Sequence, residues 1–158
     1  MQYIIDFLHN RVLITSISAW AIAQIIKTII DLCFTGKVNF ERLIGSGGMP
    51  SCHSSTVTAL ATISGLIYGV GSFEFAISCI IAIIVMYDAR GVRRETGNQA
   101  VLLNQIMDYF RNVAKPQPKI EFNQEKLKEL IGHTPLQVVV GAILGFVIAI
   151  IMYQVLPV

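Results

Sequence analysis

The sequence predicts an all-α fold, a polytopic membrane helix bundle of about four transmembrane helices plus an amphipathic interfacial or re-entrant helix. Three observations predict it. Hydrophobic residues form 54% of the chain and charged residues 14%, whereas a soluble domain carries about 25% charged residues. Too few polar side chains remain to coat a globule in water, and mean hydropathy is +0.63. Four segments approach the roughly 20 apolar residues that a helix needs to cross a bilayer. The basic residues fall on one side once those segments are threaded. At 158 residues the chain makes one membrane-embedded domain, 1–158.

Taken in order, the opening "MQYIIDFLHNRVL" lacks the basic start, compact apolar stretch and cleavage site of a secretory signal. The first spanning helix is therefore expected to stay in the protein. It covers about 12–34, with Gln24, Lys27 and Asp31 toward its far end. The second covers about 54–71, and its Ser and Thr content suits a helix enclosed by other helices. The third, about 73–87, is strongly apolar but short, and the fourth, about 136–156, is the clearest. Between them, "GVRRETGNQAVLLNQIMDYFRN" sets Val92, Ala100, Leu103, Met107 and Phe110 near helical spacing. This amphipathic helix lies at the interface or folds back on the bundle. "KPQPK" then interrupts the chain, because proline cannot continue a helix. A short charged helix, about 123–131, leads to "GHTP".

Gly65/Gly69 and Gly141/Gly145 have the G-x-x-x-G spacing that lets helix backbones approach in lipid. They offer packing faces through which a homo-oligomer could form. Cys33, Cys52 and Cys79 match no zinc or disulfide spacing.

Threading four helices puts the loops 35–53 and 88–134 on one side, with both termini and the turn at 71–74 opposite. Lys37, Arg42, Arg90, Arg93, Arg94, Arg111, Lys115, Lys119, Lys126 and Lys128 then share a side, joined by Lys27 if it snorkels. Arg11 is alone across the membrane. The excess of positive charge assigns the polar loops to the cytoplasm, and a bacterial plasma membrane is the expected location. The bilayer is the expected partner, and no nucleic acid is.

The same threading gathers the chemistry at one face. His53 starts the second helix, Asp88 and "RGVRR" end the third, and His133 precedes the fourth. Ser51 or Ser54 can cap the second helix, and "HTPLQ" supplies a Thr cap with Pro135 in the first turn. Helix starts offer free N–H groups and partial positive charge, which suits phosphate. Gly45, Gly47 and Gly48 let backbone approach a ligand. Arg90, Arg93 and Arg94 supply planar bidentate donors for phosphate oxygens. Taken singly, each feature has a plainer reading as a cap, a topology anchor or a turn. Their co-location suggests phosphoryl chemistry with no metal or other cofactor.

Three blocks, "GGMPSCHSS", "YDARGVRRETGNQAVLLN" and "GHTPLQVVVGAILG", occur in that order between Gly47 and Gly145. With them the chain resembles the type 2 phosphatidic-acid phosphatase superfamily of lipid phosphate phosphatases and vanadium haloperoxidases, and within it a divergent membrane branch. The superfamily pattern runs K-x6-R-P, P-S-G-H, then S-R-x5-H-x3-D. Pro50, Ser51 and His53 match the middle motif, with Cys52 in place of glycine, and His133 matches the last histidine. The resemblance implies His133 as nucleophile, His53 as general acid and no metal. Lys27 and Lys37 lack an R-P seven residues on, Leu127 stands where arginine is expected, and Gln137 where the orienting aspartate is expected. Asp88 could orient His133 instead, with Arg90, Arg93, Arg94, Ser51, Gly47 and Gly48 holding phosphate.

A lipid phosphate monoester or diphosphate, phosphatidate- or phosphatidylglycerophosphate-like, is therefore the expected substrate. The alternative is a catalytically inactive lipid-phosphate-binding or scaffold protein. A CDP-alcohol phosphotransferase would need grouped aspartates for divalent cations, and near Asp88 only Glu95 and Asp108 add acids. A transporter would want more charge at mid-depth than Lys27 and Asp31 near one helix end.

Overall fold

The computed structural model describes residues 2–36, 48–113 and 133–156. The expected charged helix at 123–131, the "KPQPK" break, Gly45, Gly47, Leu127 and the loop lysines lie outside the described residues. Among the described residues the chain is all helix, without a strand. The elements are α1 (Gln2–Leu8), α2 (Arg11–Thr35), α3 (Cys52–Tyr68), α4 (Phe73–Arg90), α5 (Val92–Val113) and α6 (Pro135–Val155).

Three stretches are long and apolar enough to cross a membrane: Arg11–Thr35, the α4–α5 run Phe73–Phe110, and Pro135–Val155. The chain is thus an integral membrane helix bundle. The 17-residue α3 is about 26 Å long, a little less than a hydrocarbon core. It is the helix the others surround, packing on α2, α4 and α6. That enclosure explains its weak hydropathy. Ser54, Ser55 and Ser64 on α3 are buried in protein and need not meet lipid.

The local chemistry of each boundary is legible. Asn10 caps α2 by accepting from the Leu13 N–H, and Gly36 ends that helix in the left-handed region at φ +66°. Ser72 caps α4 by accepting from the Phe75 N–H. α4 runs three residues beyond the expected 87, so Asp88 and Arg90 stand in its last turn. α1 adds a short helix that the sequence reading did not assign, with Tyr3, Phe7 and Leu8 exposed along it.

The core is built from small residues and few large ones: Ala19, Ala59, Ile63, Ile148 and Ala149. In lipid there is no hydrophobic gain from bringing helices together, so close backbone packing and interhelical hydrogen bonds must do it. Both are present. Ser55 donates to the Ala19 carbonyl at 3.2 Å, joining α3 to α2, and Ser78 donates to Ser64 Oγ at 3.3 Å, joining α4 to α3. An added Cβ at Gly141 would run into the Ser51 carbonyl, and one at Gly145 into the Ser55 carbonyl. The G-x-x-x-G face of α6 is thus filled within the chain by the first turn of α3. Gly65 faces the Phe75 ring, and Gly69, at φ +88°, ends α3 beside open space.

At the other end, Arg11 Nη2 donates to the Tyr153 carbonyl at 3.0 Å, with the guanidinium 5.4 Å from the Tyr153 ring centroid. A cation there offsets the negative end of α6. It also ties the start of α2 to the end of α6.

Candidate active site

Three helix ends meet at the opposite face of the bundle, and backbone hydrogen bonds join them. The His133 N–H donates to the Ala89 carbonyl at 3.1 Å, fixing the lead-in of α6 to the last turn of α4. The Ser51 N–H donates to the Gln137 carbonyl at 3.1 Å, fixing the start of α3 to the first turn of α6. The glycine seam of α6 sets how closely these two helices approach. As a result the His53 and His133 rings, remote in sequence, have centroids 6.2 Å apart and planes tilted by 59°.

The two imidazoles sit in unlike surroundings. His133 is 1% exposed, while His53 is only partly buried. The tautomer of His133 follows from its neighbours. Thr134 caps α6 and Gln137 completes a capping box, its Oε1 accepting from the Thr134 N–H at 3.0 Å. The atom facing a backbone N–H must be the amide oxygen. That same oxygen lies 3.2 Å from His133 Nδ1, so Nδ1 carries the proton and, in the neutral ring, Nε2 holds the lone pair. The side chain that meets Nδ1 is therefore the residue four positions on, where the superfamily pattern places aspartate. On His53, Nδ1 lies 3.7 Å from the Cys52 sulfur.

The remaining sequence candidates fall at or near this face. Asp88 is half-buried in the last turn of α4, one residue before the carbonyl that receives the His133 amide. Arg90 and Arg94 are exposed at the α4–α5 junction, and Arg93 lies on α5 between them. Gly48 adopts φ +104°, a conformation that favours glycine. Ser51 is 0% exposed, and its hydroxyl accepts from the Ser54 N–H at 3.3 Å and the Ser54 hydroxyl at 3.1 Å. It shapes the start of α3 from inside, and a phosphate ligand at this position would need to reach a fully enclosed oxygen. Gly47 lies outside the described residues.

Lys27 changes place relative to the sequence reading. It does not snorkel but is 3% exposed. Thr15, Ala19, Ala23 and Lys27 repeat every fourth residue along α2, and all are buried. Ala19 on this face receives the Ser55 hydroxyl. Two turns farther along, Lys27 therefore stands on the same inward face toward the end of the bundle that holds the histidines. The small residues at that four-residue spacing were the signal for its burial.

A family model described as the divergent PAP2 family matches residues 8–148. The chain belongs to the divergent PAP2 family. It is also 41% identical over 152 residues to an uncharacterized membrane protein, YuiD, of Bacillus subtilis (strain 168), covering 93% of this chain and 96% of that protein. No solved structure matches the chain. The match brackets the whole histidine site, from the last residue of α1 to just past the glycine seam of α6.

Proposed function

We propose that this divergent PAP2 protein hydrolyses a lipid phosphate, phosphatidate- or phosphatidylglycerophosphate-like, through a phosphohistidine intermediate. The observation that carries the reading is the 6.2 Å histidine pair held between two helix starts. His133 Nε2 attacks phosphorus, the P–O bond to the lipid breaks, and His53 protonates the departing oxygen. Water then attacks the phosphohistidine, His53 takes its proton, and inorganic phosphate leaves with His133 restored. Gln137 holds the Nδ1 proton throughout, and Asp88 stabilises the cationic ring. Arg90, Arg93, Arg94 and the inward Lys27 supply charge to the phosphate oxygens, and the loop with Gly47 and Gly48 supplies close backbone. The mechanism uses no metal or other cofactor. Splitting one displacement into two makes each step easier.

The test is phosphate release by purified protein from phosphatidate and phosphatidylglycerophosphate in mixed micelles. His133→Ala should abolish release, and His53→Ala should lower it about 10²–10⁴-fold. Asp88→Asn should reduce it steeply at unchanged expression, and vanadate should inhibit. Absence of release from every lipid phosphate by the folded wild-type protein refutes the hydrolase.

One observation favours a second reading. His133 is almost fully buried, and the acceptor at Nδ1 is a neutral amide. Both suit a protein that binds lipid phosphate without cleaving it. Vesicle binding that is lost in Arg94→Ala, with no phosphate release by the wild type, would establish that reading.

A further inference from the structure

α4 has 18 residues, a length of about 27 Å, close to the thickness of a hydrocarbon core. Its last turn therefore stands at the membrane surface, where Gly91 interrupts the helix and α5 begins. α5 has three different sides. Gly97, Ala100 and Asn104 are buried, so the helix is already seated by a narrow side. Arg94, Asn98 and Gln105 form an exposed polar edge. Leu102, Leu103, Ile106, Tyr109 and Phe110 repeat at helical spacing on the remaining side, each at least 41% exposed. An apolar stripe of this kind needs an occupant. The stripe begins about three turns past Gly91, after the exposed Glu95, Thr96 and Gln99, on a helix tethered by one residue to the surface end of a membrane-spanning one.

We infer that α5 lies along the leaflet at the histidine end, with this stripe in the acyl–headgroup boundary and its polar edge among anionic headgroups. Such helices bury their apolar face about 5–10 Å into that boundary, and basic residues beside it favour anionic lipid. The helix thereby holds the end of α4, and through the Ala89 carbonyl the lead-in to His133, at headgroup depth. The inference does not depend on whether the site hydrolyses phosphate.

Trp20 is the sole tryptophan, so Trp20→Phe gives a silent background. Ile106→Trp and Tyr109→Trp report on the stripe and Asn98→Trp on the polar edge, each in full-length protein reconstituted in phosphatidylcholine–phosphatidylglycerol vesicles. Both stripe reporters should emit at shorter wavelength than Asn98→Trp and lose about half their emission to lipids brominated near the headgroup, as the shallow insertion depth requires. Asn98→Trp should instead be quenched by aqueous acrylamide. Two outcomes overturn the inference. Stripe reporters quenched by acrylamide as readily as Asn98→Trp would place the stripe in water. Stripe reporters protected from both quenchers would place it against protein, either a second copy or the bundle itself.

Discussion

Gln137 joins four groups. Its Oε1 accepts from Thr134 and meets His133, its N–H donates to Thr134 Oγ1, and its carbonyl accepts from Ser51. The side chain thus completes the α6 cap and fixes the tautomer of the nucleophile candidate, while the backbone of the same residue anchors the α3 start. Read as a motif position, it is an aspartate gone missing; read as a capping residue, it is an oxygen whose orientation the helix dictates. Gln137→Glu keeps an acceptor for the Thr134 N–H and places a carboxylate beside His133 Nδ1, so phosphate release should stay within a few-fold of the wild type. Gln137→Met removes the acceptor from both the Thr134 N–H and the His133 ring but leaves the Thr134 hydroxyl capping the Gln137 N–H. It should lower stability by about 1 kcal/mol, the net worth of one hydrogen bond, and reduce release by at least about tenfold through loss of the correct tautomer. Loss of stability without loss of release would make Gln137 a cap alone.

Glycines that look alike in sequence differ in what lies opposite them. At Gly145 an added methyl would meet the Ser55 backbone, whereas at Gly65 it would meet the Phe75 ring at 2.8 Å. A backbone carbonyl inside a helix cannot yield without moving the helix, but a ring can shift. Gly145→Ala should therefore destabilise the bundle by about 1–3 kcal/mol, the range for overpacking, and Gly65→Ala by distinctly less. Thermal unfolding in detergent measures both. Because the seam sets the approach of α3 to α6, Gly145→Ala should also weaken whatever the histidine pair does. The spacing was legible as a packing device. Its partner was not, because the first turn of α3 lies some ninety positions upstream and only the tertiary fold brings it there.

For the whole molecule, the helix ends bearing His53, His133 and Asp88 meet at one face, while Arg11 and Tyr153 are joined at the other. The excess of basic residues in the loops at the histidine face predicts a cytoplasmic position for it. Cys33, exposed near the end of α2, belongs to that face, whereas Cys52 is buried and Cys79 sits within α4. A membrane-impermeant maleimide should therefore modify Cys33 in inverted vesicles and spare it in right-side-out ones. The opposite pattern would put the site outside, where it would meet substrates of the other leaflet.

Apolar run lengths, turn residues and charge bias lie along the chain itself, so the sequence determined the helices, their membrane setting and the shared face of the two histidines. Capping chemistry likewise located the start of α6, because a cap depends on neighbours three residues away, and narrowed the α3 cap to Ser51 or Ser54, of which the structure uses Ser51. Only the tertiary structure decided the partner of His133 Nδ1, the burial of Lys27 and the surface that fills the α6 glycine seam. Each of these depends on how two helices rotate and approach in three dimensions, and short-range spacing does not encode that rotation.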